Sequence, residues 1–230
     1  MRLLIPLAAA AIATAALAQP AKPPFPTRPL SAEGQALAGA WRSRMDAVRA
    51  ELAALPPPAS LTEELARRNR LQREGRLALS RILASPPQER GWILAVVWNE
   101  LALIDADNTE ALRRVLPAKG WFSDPALSHE AWDIAQHTND WDFQKEVLAR
   151  VEPLAGTPII EGGAYAKLYD RVAERDGRRQ RYATQASCAA GVRSIQNVED
   201  SDRVDALRAQ VGHRETLAET RMRLKVGEPC

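Results

Sequence analysis

Apolar positions recur with a helical period over most of the chain. Ser31 can cap a helix that runs to about Leu55, where Pro56-Pro57-Pro58 stops it. Ser60 with Glu63 makes a capping box for a second helix that ends before Pro86. Both segments are charged and rich in Ala and Leu, the pattern of an antiparallel helical hairpin. The stretch Trp92 to Ile104 is apolar almost all round and predicts a buried central helix. Asp107 or Asn108 can cap a short helix ending near Pro117. Ser123-Asp124-Pro125 starts a helix ending near Thr138-Asn139, and Asp140 caps the next, to about Val151. A further helix runs from about Glu161 to Arg175 and closes at Asp176-Gly177. The period then shortens: Gln180 to Cys188 alternates, Gly191 marks a turn and Val192 to Ile195 returns, which predicts a short β-hairpin. From Ser201 the pattern is helical again, broken near Gly212. The expected fold class is therefore mainly α, a helical domain with one small β-hairpin.

The first residues have a different character. Arg2 followed by an uncharged Ala/Leu run and the small-x-small triplet Ala16-Leu17-Ala18 is the pattern of a secretory signal peptide over 1–18. The run is shorter than the roughly 20 apolar residues of a membrane span. No stable span is expected once it is cleaved, and the mature chain is expected to be periplasmic or otherwise exported. Residues 19–30 carry five prolines and predict an extended linker. The helical hairpin occupies 31–90 and the helical domain with its β-hairpin 91–230. The chain has 31 Lys+Arg against 29 Asp+Glu, too small a basic excess for a dedicated nucleic-acid binder. Cys188 and Cys230 are its two cysteines; in an oxidising compartment they can pair, and the alternative is two unrelated thiols.

Candidate chemistry is sparse. His129 and His137 lie eight residues apart on one expected helix, roughly 12 Å along its axis at 1.5 Å per residue, too far to share an ion. With no HExxH or CxxC, no metal site is expected; with no Gly-rich phosphate loop, no cofactor is expected either. On the helix from Pro125, Leu127, Ala131, Ile134 and Ala135 form an apolar stripe, with His129, Trp132 and Gln136 opposite. His137 lies at the stripe's edge, where Asp133 can hydrogen-bond it at i, i+4. Such a carboxylate suits a general base or an anion contact, and equally a histidine that is purely structural. Gln144 falls within the apolar face of the next helix, so its amide must find partners, and His137 is a candidate. Asp170 comes out away from the stripe Tyr165, Leu168 and Val172, a solvated position, with Arg171 flanking the stripe. Arg171, Arg175, Arg178, Arg179 and Arg181 form a local basic cluster suited to a carboxylate or phosphate. Strand alternation puts Gln180, Tyr182 and Thr184 on one face and Gln185 on the other.

Asp105-x-x-Asn108, Gly120-Trp121, Gln136-His137, Phe143-Gln144, Leu168-x-Asp170-Arg171 and Gln180-x-Tyr182-Ala183-Thr184-Gln185 together resemble an uncharacterised bacterial family, a domain of unknown function. The likeness covers about Trp92 to Gly212. Ala183 departs from it, standing where the pattern usually has Gly, and Phe122 stands where Pro often follows Gly-Trp. The resemblance implies one polar cluster of His137, Gln144, Asp170, Arg171, Gln180, Tyr182 and Gln185, and carries no mechanism. Three readings follow. The leading one is an exported module binding a small molecule or an envelope component, with Gln136, Gln144, Arg171, Gln180, Tyr182, Thr184 and Gln185 as ligand contacts. The second is a hydrolase or lyase in which His137 acts as general base, oriented by Asp133 or Asp170. In the third the cluster only pins the hairpin to the helices. A cluster open in a concave pocket favours the first two; a sealed and fully paired one favours the third.

Overall fold

A computed structural model describes residues 30–83 and 87–229. The expected signal peptide, all of the linker but Leu30, and Cys230 lie outside the described residues. Eight α-helices, one 3-10 turn (Glu152–Leu154) and one two-stranded antiparallel hairpin account for their regular structure, so the fold is mainly α. None of these helices is long and apolar enough to cross a membrane.

Helix α1 (Ala32–Ala53) starts where Ser31 Oγ accepts the Gly34 N–H at 3.1 Å. Its buried residues Ala38, Trp41, Met45 and Val48 keep the three-to-four spacing of one face. Helix α2 (Leu61–Leu83) starts at Ser60, whose Oγ accepts the Glu63 N–H; the Glu63 carboxylate takes the N–H of Ala59. The two helices pack together, and Trp41 Nε1 donates to Gly75 O across them at 2.8 Å.

Helix α3 (Pro87–Val115) is continuous through the expected break at Asp107 and Asn108. Neither caps a new helix. Asn108 and Thr109 are buried side-chain anchors: Asn108 donates to α2, and Thr109 Oγ1 donates to Asp105 O one turn back. With those polar groups satisfied by neighbours, nothing forces the helix to stop. Its first half packs in one apolar cluster with α1 and α2, through Ile93, Val97 and Leu101. Its second half, through Leu112, joins a second cluster with α4 (Pro125–His137), α5 (Trp141–Val151) and α6 (Gly162–Arg175).

Asp124 and Asp140 cap α4 and α5 as expected, each accepting the amide three residues on. Trp132, expected opposite the apolar stripe, is buried as well, because α4 is packed against α2, α3 and α5 together. Helix α6 ends at Gly177, whose φ of +72° suits the residue without a Cβ. The strands are shorter than expected: β1 (Ser187–Ala189) pairs with β2 (Val192–Ser194), Cys188 opposite Arg193. Residues 181–186 are irregular, so Gln180, Tyr182 and Thr184 share no strand face. Arg193 also exchanges backbone hydrogen bonds with Gly227 and Glu228 near the chain's end. Cys188 is disulfide-bonded. Helices α7 (Val204–Gln210) and α8 (Leu217–Arg223) complete the fold. The Val211–His213 turn lies so close to α6 that a Cβ on Gly162 would overlap Val211 O.

Candidate functional site

The residues expected to form one cluster form two, on different sides of α6. The first surrounds Asp170, the second the end of α4.

Asp170 is fully buried, a correction to its expected solvated position. Its carboxylate accepts four hydrogen bonds. Oδ1 takes the N–H groups of Arg181 (2.8 Å) and Tyr182 (3.0 Å); Oδ2 takes the N–H (2.8 Å) and hydroxyl (2.9 Å) of Thr184. From the other direction comes Arg208, 1% exposed, donating to Tyr182 O at 2.9 Å and Ala183 O at 3.2 Å. Amides of the 181–184 loop thus go to an acid and carbonyls to a base. The clamp holds Ala183 at φ +52°, the left-handed conformation that glycine adopts most readily. The departure from Gly at 183 therefore leaves the kink in place. Gln180 repeats the device nearby: its amide donates to Glu174, Gln185 O and Gln196 O and its carbonyl accepts the Gln185 N–H. Burial pushes the Asp170 carboxyl up, and the four donors pull it back. Every polar side-chain atom of this network has a partner, apart from groups open to solvent. Its geometry positions a loop, and the four hydrogen bonds of Asp170 all go to that loop, none to His137.

The second cluster gathers where α4 ends. Gln144, from α5, donates its amide to Gln136 O (3.3 Å) and Thr138 O (3.1 Å), closing carbonyls the helix leaves open. No hydrogen bond joins Gln144 to His137, and the enclosed Gln144 Oε1 accepts none. Arg171, from α6, donates Nη1 to the same Gln136 O at 2.5 Å. A cation suits a helix C-terminus, yet among the described residues no carboxylate pairs with Arg171. Burial and the neighbouring Arg175 both lower its pKa. Arg175 itself lies 4.5 Å over the Trp141 ring.

His137 is half-buried, its side chain 29% exposed. Asp133 is its nearest acid, but Nε2 to Oδ1 is 3.8 Å, beyond hydrogen-bond reach. That carboxylate is taken by Arg73 Nε at 2.6 Å and by Gln136 Nε2 at 2.7 Å. Burial, then the charge of Arg76, hold the imidazole pKa down at about 4; Asp133 pulls upward, and Arg171 and Arg73 add to the depression. At neutral pH the ring is uncharged, with one nitrogen able to donate and one to accept.

Sequence patterning marks α2 only through the Glu63 capping box, yet α2 supplies half of this site. Arg73 pairs with Glu130 and Asp133, and Arg76 pairs at 2.8 Å with Asp105, whose Oδ1 is enclosed and unpartnered. Asn69 and Gln72 are fully buried and donate to Glu130 O (2.8 Å) and Asp133 O (3.1 Å) on α4. Their signal was present: Leu65, Asn69, Gln72, Arg76 and Leu79 fall on one helical stripe, and amides in an apolar stripe need partners. The described residues contain no group of His, Cys, Asp and Glu able to hold a metal ion.

The model of a family described as a family of unknown function (DUF6624) matches residues 86–226. The matched span begins one residue before α3, so α1 and α2, with Arg73 and Arg76, precede it. No curated protein and no solved structure matches the chain.

Proposed function

Taking as premise that the chain belongs to the DUF6624 family of unknown function, we propose that it is an exported binding module for a small carboxylate or phosphate anion. The ligand sits at the end of α4, against Arg171, His137 and Arg76. The observation that carries the reading is Arg171: a largely buried guanidinium with no carboxylate partner among the described residues, bonded through one nitrogen to Gln136 O. Arginine's fork of donors matches a carboxylate or phosphate oxygen pair. The neutral imidazole beside it adds one donor without a second desolvated charge. The disulfide at Cys188 supports export, because such bonds persist in oxidising compartments.

The general-base reading draws less support. A base with a pKa of about 4 is weak at neutral pH, and its would-be orienting acid is held by Arg73 and Gln136 instead. The sealed Asp170 and Gln180 network supports a structural role for that half of the set, including Tyr182, Thr184 and Gln185.

The test is a thermal-shift titration with malonate, citrate and inorganic phosphate as separate arms. At least one anion raises the midpoint in a saturable way, and Arg171→Gln abolishes the rise while leaving the unliganded fold intact. No saturable rise in any arm, or an unchanged rise in Arg171→Gln, overturns the proposal. Turnover of a substrate that falls roughly 10²–10⁴-fold in His137→Ala would favour the general base instead.

A further inference from the structure

A hollow of about 480 Å³ opens between α1, α2 and α3, on the other side of α2 from His137. Its size is within the range of small-molecule pockets. The walls are apolar: Leu52 from α1, Leu71 from α2, and Leu103 and Ile104 from α3. Leu103 is 73% exposed at its rim, where a leucine with nothing covering it gains little from the fold.

One polar atom of the lining, Arg67 Nε, lacks a partner. Arg67 donates Nη1 to Pro56 O and Nη2 to Glu63, yet its Nε is enclosed with no acceptor. Asn108 is 2% exposed, and its amide makes two long contacts of 3.4 Å, to Arg68 O and Gln72 Oε1. Asn108, which contacts the Arg68 carbonyl, lies about one turn of α3 from Leu103 and Ile104 and lines the same hollow as both arginines. The acids of the lining are already neutralised, Glu100 by Arg42 at 2.6 Å and Asp107 by Arg68 at 2.7 Å. Arg49, the third lining arginine, pairs with Asp46 on its own helix at 2.8 Å. The hollow thus offers an aliphatic wall and, in the same lining, the guanidinium groups of Arg67 and Arg68.

We propose that this hollow binds a single-chain amphiphile with a carboxylate head, of the fatty-acid class. The chain lies along Leu52, Leu71, Leu103 and Ile104, and the carboxylate accepts from Arg67. The site is independent of the anion site at His137.

Calorimetric titration of the full chain with dodecanoate, below its micelle threshold, tests it. One-site binding is expected, weakened at least tenfold by Leu103→Glu and by Arg67→Gln, and unchanged by His137→Ala. Leu103 is exposed, so its variant keeps the wild-type melting profile. Dodecanol, which has the same chain and no charge, binds at least tenfold more weakly. Absence of dodecanoate binding, binding that Leu103→Glu leaves intact, or dodecanol binding equal to dodecanoate overturns the proposal. Loss of binding in His137→Ala would overturn the independence of the two sites.

Discussion

Replacing Asp170 by Asn tests whether the 181–184 loop is held as its hydrogen bonds imply. The substitution keeps the shape and removes the charge. One carboxylate oxygen becomes an NH2 group, and each oxygen now accepts two donors. Whichever way the amide turns, two donors face a donor. Each lost bond to a charged acceptor is worth about 1.5–3 kcal/mol, and the loop amides have no water to turn to. The neutral amide escapes the desolvation that pushes the Asp170 carboxyl up, which offsets part of the loss. The net expectation is a destabilisation of about 2–4 kcal/mol, roughly 5–15 °C in midpoint for a chain of this size. Urea unfolding followed by circular dichroism measures the first figure. Hydrogen exchange at Arg181, Tyr182 and Thr184 measures the local effect, and these amides should lose protection before the core of α6. A loss below about 1 kcal/mol with protection intact would refute the clamp.

Three further outcomes follow from the same packing. Ala183→Gly should change stability by no more than about 0.5 kcal/mol, since relief of a left-handed alanine is offset by a lost buried methyl and a freer unfolded chain; Ala183→Val should cost about 3 kcal/mol, both read by urea melts. Gly162→Ala would drive a Cβ onto the backbone at Val211 and His213, so a loss of about 3 kcal/mol or more and early proteolysis near 212–216 are expected. His137 has a folded pKa of about 4 against 6.5, so the unfolded chain binds more protons between those values. Stability should therefore be fully present above pH 6.5 and fall by on the order of 2–3 kcal/mol as pH drops toward 4. His137→Gln should flatten that part of the urea-midpoint profile.

What the sequence made legible follows from local rules. Ser31, Asp124 and Asp140 announce helix starts because a cap needs only its own first turn. Asp107 and Asn108 look like caps for the same reason, and misled because α2 supplies their partners from far along the chain. Angular bookkeeping placed Asp170 in solvent because one period describes one apolar face. α6 is instead covered on a second side by the 181–184 loop and Arg208. The ordered motifs did identify positions that matter to the fold, but period and spacing could not show that α6 divides them into a sealed loop clamp and a half-open site. Nor could they show that α2, read as part of a separate hairpin, would bring Arg73 and Arg76 to His137.

The central claim is that Arg171 and His137 receive a small anion together. Side-chain ¹⁵N NMR during titration with citrate, and with phosphate as a second arm, tests it most directly. With one of them, the Arg171 Nε–H and His137 ring resonances should shift in parallel, saturably and with one dissociation constant. Shifts that stay linear in concentration, or that appear at the exposed arginines 178 and 179 while Arg171 stays silent, would contradict it.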